Sequence, residues 1–116
     1  MLSKNRRISR KEFPYILAKG KRYNFPHFLL YVAPINSIDK KNSSRFSFSI
    51  SKKVFSKAVD RNKYRRRGYS VIDLYKDSLK PGYFCFFSFK KGSSGITFDT
   101  LQKEILGLLS ASAVIS

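Results

Sequence analysis

The chain has one cysteine, one histidine and no tryptophan, and only 7 of its 116 residues are acidic. A single cysteine excludes an internal disulfide framework, and one cysteine with one histidine cannot assemble a zinc site. Cys85 lies in the run Tyr83-Phe84-Cys85-Phe86-Phe87, where the role of a small buried apolar side chain is expected. The acids are scattered rather than paired, and His27 stands alone between Pro26 and Phe28, a setting that suits a structural histidine. No nucleophile–base pair can be built from this inventory, so no catalytic residue and no metal site are expected in the protein itself. No stretch approaches the ~20 apolar residues of a membrane span. The amino-terminal segment, charged from Lys4 onward, lacks the apolar core of a secretory signal. The expected location is the cytoplasm.

Positive charge is what the chain has in excess. Its 24 Lys and Arg against 7 Asp and Glu give a formal charge of +17. Self-repulsion on that scale disfavours a compact state unless a polyanion neutralises it. Apolar residues nevertheless make up 42% of the chain, with 11 Phe and 7 Tyr, so this is no disordered basic tail. Length and composition predict a single domain over residues 1–116 with its own core. Nucleic acid is the expected partner, and an anionic membrane surface is the weaker reading.

Hydrophobic periodicity divides the chain into elements. Lys4 to Arg22 carries eight basic residues and one acid, Glu12. Within it Ile8, Phe13, Ile16 and Leu17 recur at roughly helical spacing, and Gly20 is a plausible stop. Pro14 fits only a first turn, which places the start of a short helix near Arg10–Phe13. Phe28 to Ala33 reads as a strand ended by Pro34, and Asn36 to Ser44 as a loop. Arg45 to Ser51 alternates strictly, with Phe46, Phe48 and Ile50 on one face and serines on the other. From Lys57 to Leu79 the period becomes helical, with Tyr64, Gly68, Val71, Ile72, Tyr75 and Leu79 on one buried stripe and Ser56 or Asp60 as cap. Pro81-Gly82 turns the chain into Tyr83 to Phe89, an aromatic run suited to a strand covered on both faces. After the loop Gly92–Gly95, a helix over Thr100–Leu109 turns Leu101, Ile105, Leu108 and Leu109 inward. The order describes an α+β domain with helices packed on a small sheet.

The segment Ser51 to Arg67 is the most informative. Its seventeen positions hold eight basic residues and one acid. On a helix from about Lys57, Arg61 and Arg65 stack beside Asn62 and Arg66, with Tyr64 pointing the other way. A solvated basic face is the ordinary reading of such a run. Here no nearby acids offset the charge, and a serine-faced strand and a second basic segment adjoin it, which favours nucleic-acid binding.

Ser51-Lys52-Lys53, a short spacer and Ala58-Val59-Asp60-Arg61-Asn62, continuing into Lys63, Arg65 and Arg66, resembles the signature of the bacterial ribonuclease P protein subunit. The resemblance extends to Lys11-Glu12-Phe13 through Gly20, to Phe28-Leu29-Leu30-Tyr31 as the family's first strand, and to Lys80-Pro81-Gly82-Tyr83 before its last. Departures are also visible. Phe55 and Ser56 lengthen a spacer where many members have glycine, Tyr69 stands where members commonly have another Arg, and Gly68 lies inside a helix.

The resemblance implies a sheet of about four strands packed by three helices, in the order α-β-β-β-α-β-α of a ribosomal-protein-S5-like fold. It implies a non-catalytic subunit of an endoribonuclease whose RNA subunit, with Mg2+, carries the chemistry and removes the 5′ leader of precursor tRNA. The protein would be a monomer within the ribonucleoprotein and need no cofactor of its own. Its partners would be ribonuclease P RNA and precursor tRNA, with no membrane. By similarity, Lys52, Lys53, Lys57, Arg61, Asn62, Lys63, Arg65 and Arg66 would contact the catalytic RNA. Phe13, Tyr31, Ser47 and Ser49 would line a cleft for the single-stranded leader. The alternative is a ribosomal or other structural RNA-binding protein, which shares size, charge and fold class.

Overall fold

The structure is a computed structural model that describes residues 7–35, 44–93 and 95–115. Most of the expected loop Asn36–Ser44, Ser94 of the expected loop Gly92–Gly95, and residues 4–6 of the opening basic segment lie outside the described residues. A 3-10 turn at Arg10–Glu12 leads into α1 (Phe13–Lys19), followed by β1 (Lys21–Asn24), β2 (Phe28–Pro34), β3 (Arg45–Ser49), α2 (Ala58–Leu74), β4 (Tyr83–Phe89) and α3 (Phe98–Ala111). The family's expected order is therefore present.

The four strands are ordered β1-β2-β4-β3. β2 is antiparallel to β1 and to β4, whereas β3 runs parallel to β4. Parallel neighbours need a long crossover, and α2 supplies it. Strict alternation then assigns two faces to the sheet. Leu30, Phe48 and Phe87 fall in one row and join Val71, Ile72, Leu101, Ile105 and Leu108 in the main core beneath α2 and α3. The opposite row, Tyr31, Phe86 and Ser47, faces α1. There Ile16 is fully buried with Ala33, Phe84 and Ile8. The aromatic run of β4 is thus divided between two apolar clusters.

Several local expectations are corrected. Phe28 opens the second strand, because Lys21-Arg22-Tyr23-Asn24 forms an edge strand first. Only Tyr23 of that strand is even half-buried, so it carries no hydrophobic alternation. Ile8 precedes the first helix and packs beside β3, its N–H donating to the Phe46 carbonyl at 3.1 Å. Leu17 points outward and is 53% exposed. The long helix ends at Leu74, five residues before Leu79, because Tyr75 leaves the helical region at φ −109, ψ 15. A 3-10 turn at Lys76–Ser78 completes the segment. Neither Ser56 nor Asp60 caps α2; Lys57 occupies that position without a side-chain hydrogen bond.

Two glycines set how closely elements approach. A Cβ on Gly20 would lie 2.5 Å from the Ile16 carbonyl oxygen, so only glycine closes α1 directly into β1. A Cβ on Gly68 would lie 2.7 Å from Phe48 Cε1, so the absence of a side chain there lets α2 rest on the sheet. The helix-propensity cost of about 1 kcal/mol at Gly68 is exchanged for that contact.

His27 has a structural role. Its backbone N–H donates to Glu104 Oε1 at 2.9 Å, and its ring Nδ1 pairs with Glu104 Oε2. The buried carboxylate on α3 thereby ties down the entry to β2. Burial of Cys85 pushes its thiol above the ordinary range. Among the described residues, no helix is long and apolar enough to cross a membrane.

Candidate nucleic-acid interface

The amino-terminal half of α2 and the turn before it form a basic surface. Lys52 and Lys53 are exposed in a turn closed by the Val54 N–H donating to the Ser51 carbonyl at 3.1 Å. Phe55 is buried and stacks on Tyr64, with ring centroids 4.5 Å apart. The lengthened spacer is therefore anchored by an aromatic pair. Arg67 lies over the other ring of that pair, its guanidinium carbon 5.2 Å from the Tyr64 centroid.

Arg61 is oriented inward along the chain. Its Nη1 donates to the Phe55 carbonyl at 2.8 Å and the Ser56 carbonyl at 2.9 Å. This guanidinium pins the Lys53–Lys57 turn against the helix through two carbonyls, while α2 itself starts without a side-chain cap. Arg65 donates to Asn62 Oδ1 at 2.9 Å, so the Asn amide orients its neighbour's fork. Asn62, Arg65 and Arg66 line one open groove, while Lys57 and Lys63 are exposed nearby. None of the ion pairs among the described residues engages Lys52, Lys53, Lys57 or the α2 arginines. Their charge is left for an external polyanion.

A second concavity lies on the sheet face that α1 partly covers. It encloses about 540 Å³ and is lined by Arg10, Phe13, Leu17, Ser47, Ser49 and Phe86, with Arg65 at its α2 side. The strand register explains the small polar wall: Ser47 and Ser49 pair with Phe86 and Ser88, and all four project to the α1 face. Phe13 meets Phe86 edge-on with centroids 5.1 Å apart. Tyr31 does not line the cleft; it stacks beneath Phe86 at 5.8 Å and an interplanar angle of 23°. Phe13, Ser47 and Ser49 are thus brought together as expected, and Tyr31 stands one ring behind them.

Sequence reading passed over Phe86, Arg10 and Arg7. Phe86 is hidden within an aromatic run, and only its register against Ser47 reveals that it faces the cleft. Arg10 had a usable signal, since Arg10, Phe13 and Leu17 follow a spacing of three and four along one side of the helical segment. Arg7 carried no signal beyond its charge. Among the described residues no group of three or more His, Cys, Asp or Glu side chains is placed to hold a metal ion.

The arrangement suits RNA on both counts. An acid-free groove with oriented guanidinium forks matches phosphates, and aromatic edges beside serines admit a stacked, extended strand. Comparison with known proteins agrees. The family model described as Ribonuclease P matches residues 1–112. The chain is 34% identical over 97 residues to the ribonuclease P protein component of Synechococcus elongatus, covering 84% of this chain and 77% of that protein. It is 30% identical over 106 residues to the component of Microcystis aeruginosa, covering 91% and 88%. The fold superposes on the RNase P protein of Staphylococcus aureus with a TM-score of 0.84 at 23% identity, covering 96% of this chain and 98% of that one.

Proposed function

The chain belongs to the ribonuclease P protein family, and from that membership we propose which RNA each of its two surfaces holds. As the protein component of ribonuclease P, it is part of an endoribonuclease holoenzyme and has RNA as its partner. A ribosomal or other structural RNA-binding role is not favoured. In our reading the α2 surface, comprising Lys52, Lys53, Lys57, Arg61, Asn62, Lys63, Arg65 and Arg66, docks on the catalytic RNA. The cleft of Phe13, Ser47 and Ser49, backed by Tyr31 through Phe86, receives the single-stranded 5′ leader of precursor tRNA. The whole chain acts as one RNA-binding domain, in the cytoplasm, as a monomer within the ribonucleoprotein. Mg2+ belongs with the RNA subunit.

One observation carries this reading: the aromatic–serine cleft and the acid-free groove adjoin, with Arg65 lining both. A leader in the cleft would therefore lie beside the RNA on α2, as a substrate presented to a catalytic RNA must. Stacking on Phe13 or Phe86 is worth ~1–3 kcal/mol per base, and Arg10 and Arg65 are placed to hold the leader's phosphates. Small serines let the strand approach the sheet closely.

Because Arg65 serves both surfaces, Arg66 is the cleaner probe of α2. Phe13→Ala should reduce the preference for precursor over mature tRNA and leave catalytic-RNA affinity nearly unchanged. Arg66→Ala should do the reverse, flattening the salt dependence of catalytic-RNA binding by ~0.7–0.9 log units. Identical defects in the two variants would refute the separation.

A further inference from the structure

The aromatic–serine cleft starts at Arg65 on the β3 side of the sheet, and its lining reaches no further across the strands than Phe86 on β4. Strand register shows what the same face carries beyond it. Ser47 pairs with Phe86, Phe86 with Tyr31, and Tyr31 with Arg22. Two residues along each strand, Ser49 pairs with Ser88, Ser88 with Leu29, and Leu29 with Asn24. Two rows therefore run from the cleft across all four strands to β1. Tyr23 packs against the main core, so alternation turns its neighbours Arg22 and Asn24 to the α1 face.

The row from Ser49 to Asn24 is not covered by α1. The apolar cluster beneath that helix takes in Ile8, Ile16, Ala33 and Phe84, with Tyr31 and Phe86 at its border. Leu29 and Ser88 belong to neither apolar cluster, and Ser49 and Asn24 are exposed. Three of the four side chains in this row are polar, and neither row contains a carboxylate. Glu12, at the start of α1, is already engaged by Ser9 and Arg45. With strands ~4.8 Å apart, the floor extends ~14 Å from β3 to β1. At its far edge stands Arg22, exposed and in none of the ion pairs among the described residues.

A charge on an edge strand ordinarily guards against edge-to-edge pairing. Lys21 meets that need, exposed at the start of β1 and on the opposite face from Arg22. Arg22 differs in being aligned with the cleft. We propose that β1 carries a second contact for the single-stranded leader, with Arg22 holding a phosphate and Asn24 a base edge of nucleotides that have passed over the Ser88–Leu29 floor. The inference rests on the assignment of the cleft to the leader. The shape suits such a strand: serines and an amide leave room for an extended backbone, Leu29 offers an apolar surface to a base, and the guanidinium fork matches a phosphate. Asn24 supplies both a donor and an acceptor.

The test uses the full chain assembled with a bacterial ribonuclease P RNA and precursor tRNAs whose leaders are lengthened one nucleotide at a time. Affinity for the substrate is measured against leader length at several KCl concentrations. The loss caused by Arg22→Gln should grow with leader length, from nothing on mature tRNA to about two- to fivefold on long leaders. On long leaders alone, the salt slope should also fall by ~0.7. Arg22→Lys should recover the slope, and Asn24→Ala should weaken long leaders with the slope intact. An equal loss for Arg22→Gln at every length, mature tRNA included, places Arg22 on another part of the RNA and overturns the proposal. No loss at any length leaves Arg22 as an edge charge and overturns it too. If Phe13→Ala lowers the preference for precursor tRNA while Arg22→Gln does not change with length, the β1 contact alone fails. If neither variant responds to the leader, the cleft assignment fails and the β1 contact with it.

Discussion

Replacing Gly68 with alanine sets two effects of opposite sign against each other. Helix propensity alone favours alanine by ~0.8–1 kcal/mol. The structure opposes it, because the new Cβ would lie 2.7, 2.8 and 2.9 Å from three carbons of the Phe48 ring. Ordinary carbon–carbon contacts lie at ~3.5–4.0 Å, so the overlap approaches an ångström. Phe48 has little room to yield. It is 3% exposed, stacks on Phe87 at 4.7 Å and is flanked edge-on by Tyr69 at 5.1 Å. Overpacking of this kind costs ~1–3 kcal/mol, and the rigid surroundings favour the upper part of that range. The net expectation for Gly68→Ala is destabilisation by about 1–2 kcal/mol, or a fall in Tm of roughly 4–8 °C for a domain of this size. Circular dichroism melting at fixed salt measures it. Phe48→Leu should relieve part of the conflict, so the double variant should be more stable than the separate losses predict. A rise in Tm for Gly68→Ala would show that propensity governs the site and that α2 is not seated on Phe48 as described.

The remaining predictions concern single anchoring groups. Glu104→Ala leaves the His27 N–H and ring without their acceptor, and should cost about 1–3 kcal/mol in urea unfolding; unchanged stability would remove His27–Glu104 from the account. Arg61→Ala should both weaken RNA binding and loosen the Lys53–Lys57 turn, seen as faster amide exchange there, because two carbonyls lose their donor. Lys63→Ala has no such contact in the described structure and should reduce RNA affinity with exchange unaltered. Cys85, buried and with its thiol pushed up, should resist alkylation at pH 8 in the folded protein and react on unfolding; prompt reaction under native conditions would contradict the packing of β4.

What could be read from the residues was mostly what one element encodes by itself. The alternation Phe46-Ser47-Phe48-Ser49 determines both faces of β3, and so places Ser47 and Ser49 together on the face opposite the core through strand geometry alone. The stripe through Gly68, Val71 and Ile72 places the buried side of α2 in the same way. Features that depend on a partner element were not legible. Lys21–Asn24 is a strand only because β2 offers it a ladder. Leu17 shares the helical spacing of Phe13 and Ile16, yet it is exposed and rims the cleft, because the short α1 turns Ile16 to the sheet instead. The start of α2 was hidden because capping rules look for a short accepting side chain at the boundary; none caps this helix, and the long Arg61 instead donates back to two carbonyls of the preceding turn. Tyr31 and Phe86 show the same limit in the site: alternation puts both on one face, but the register decides which ring reaches the cleft.

Whether this chain assists a catalytic RNA without cutting RNA itself is decided by 5′ cleavage of a precursor tRNA by a bacterial ribonuclease P RNA at low magnesium, with and without the protein. Strong stimulation by the protein, greater for substrates with a long leader, and no cleavage by the protein alone are the predicted results. Cleavage by the protein alone, or tight binding to the RNA with no stimulation, would contradict the account.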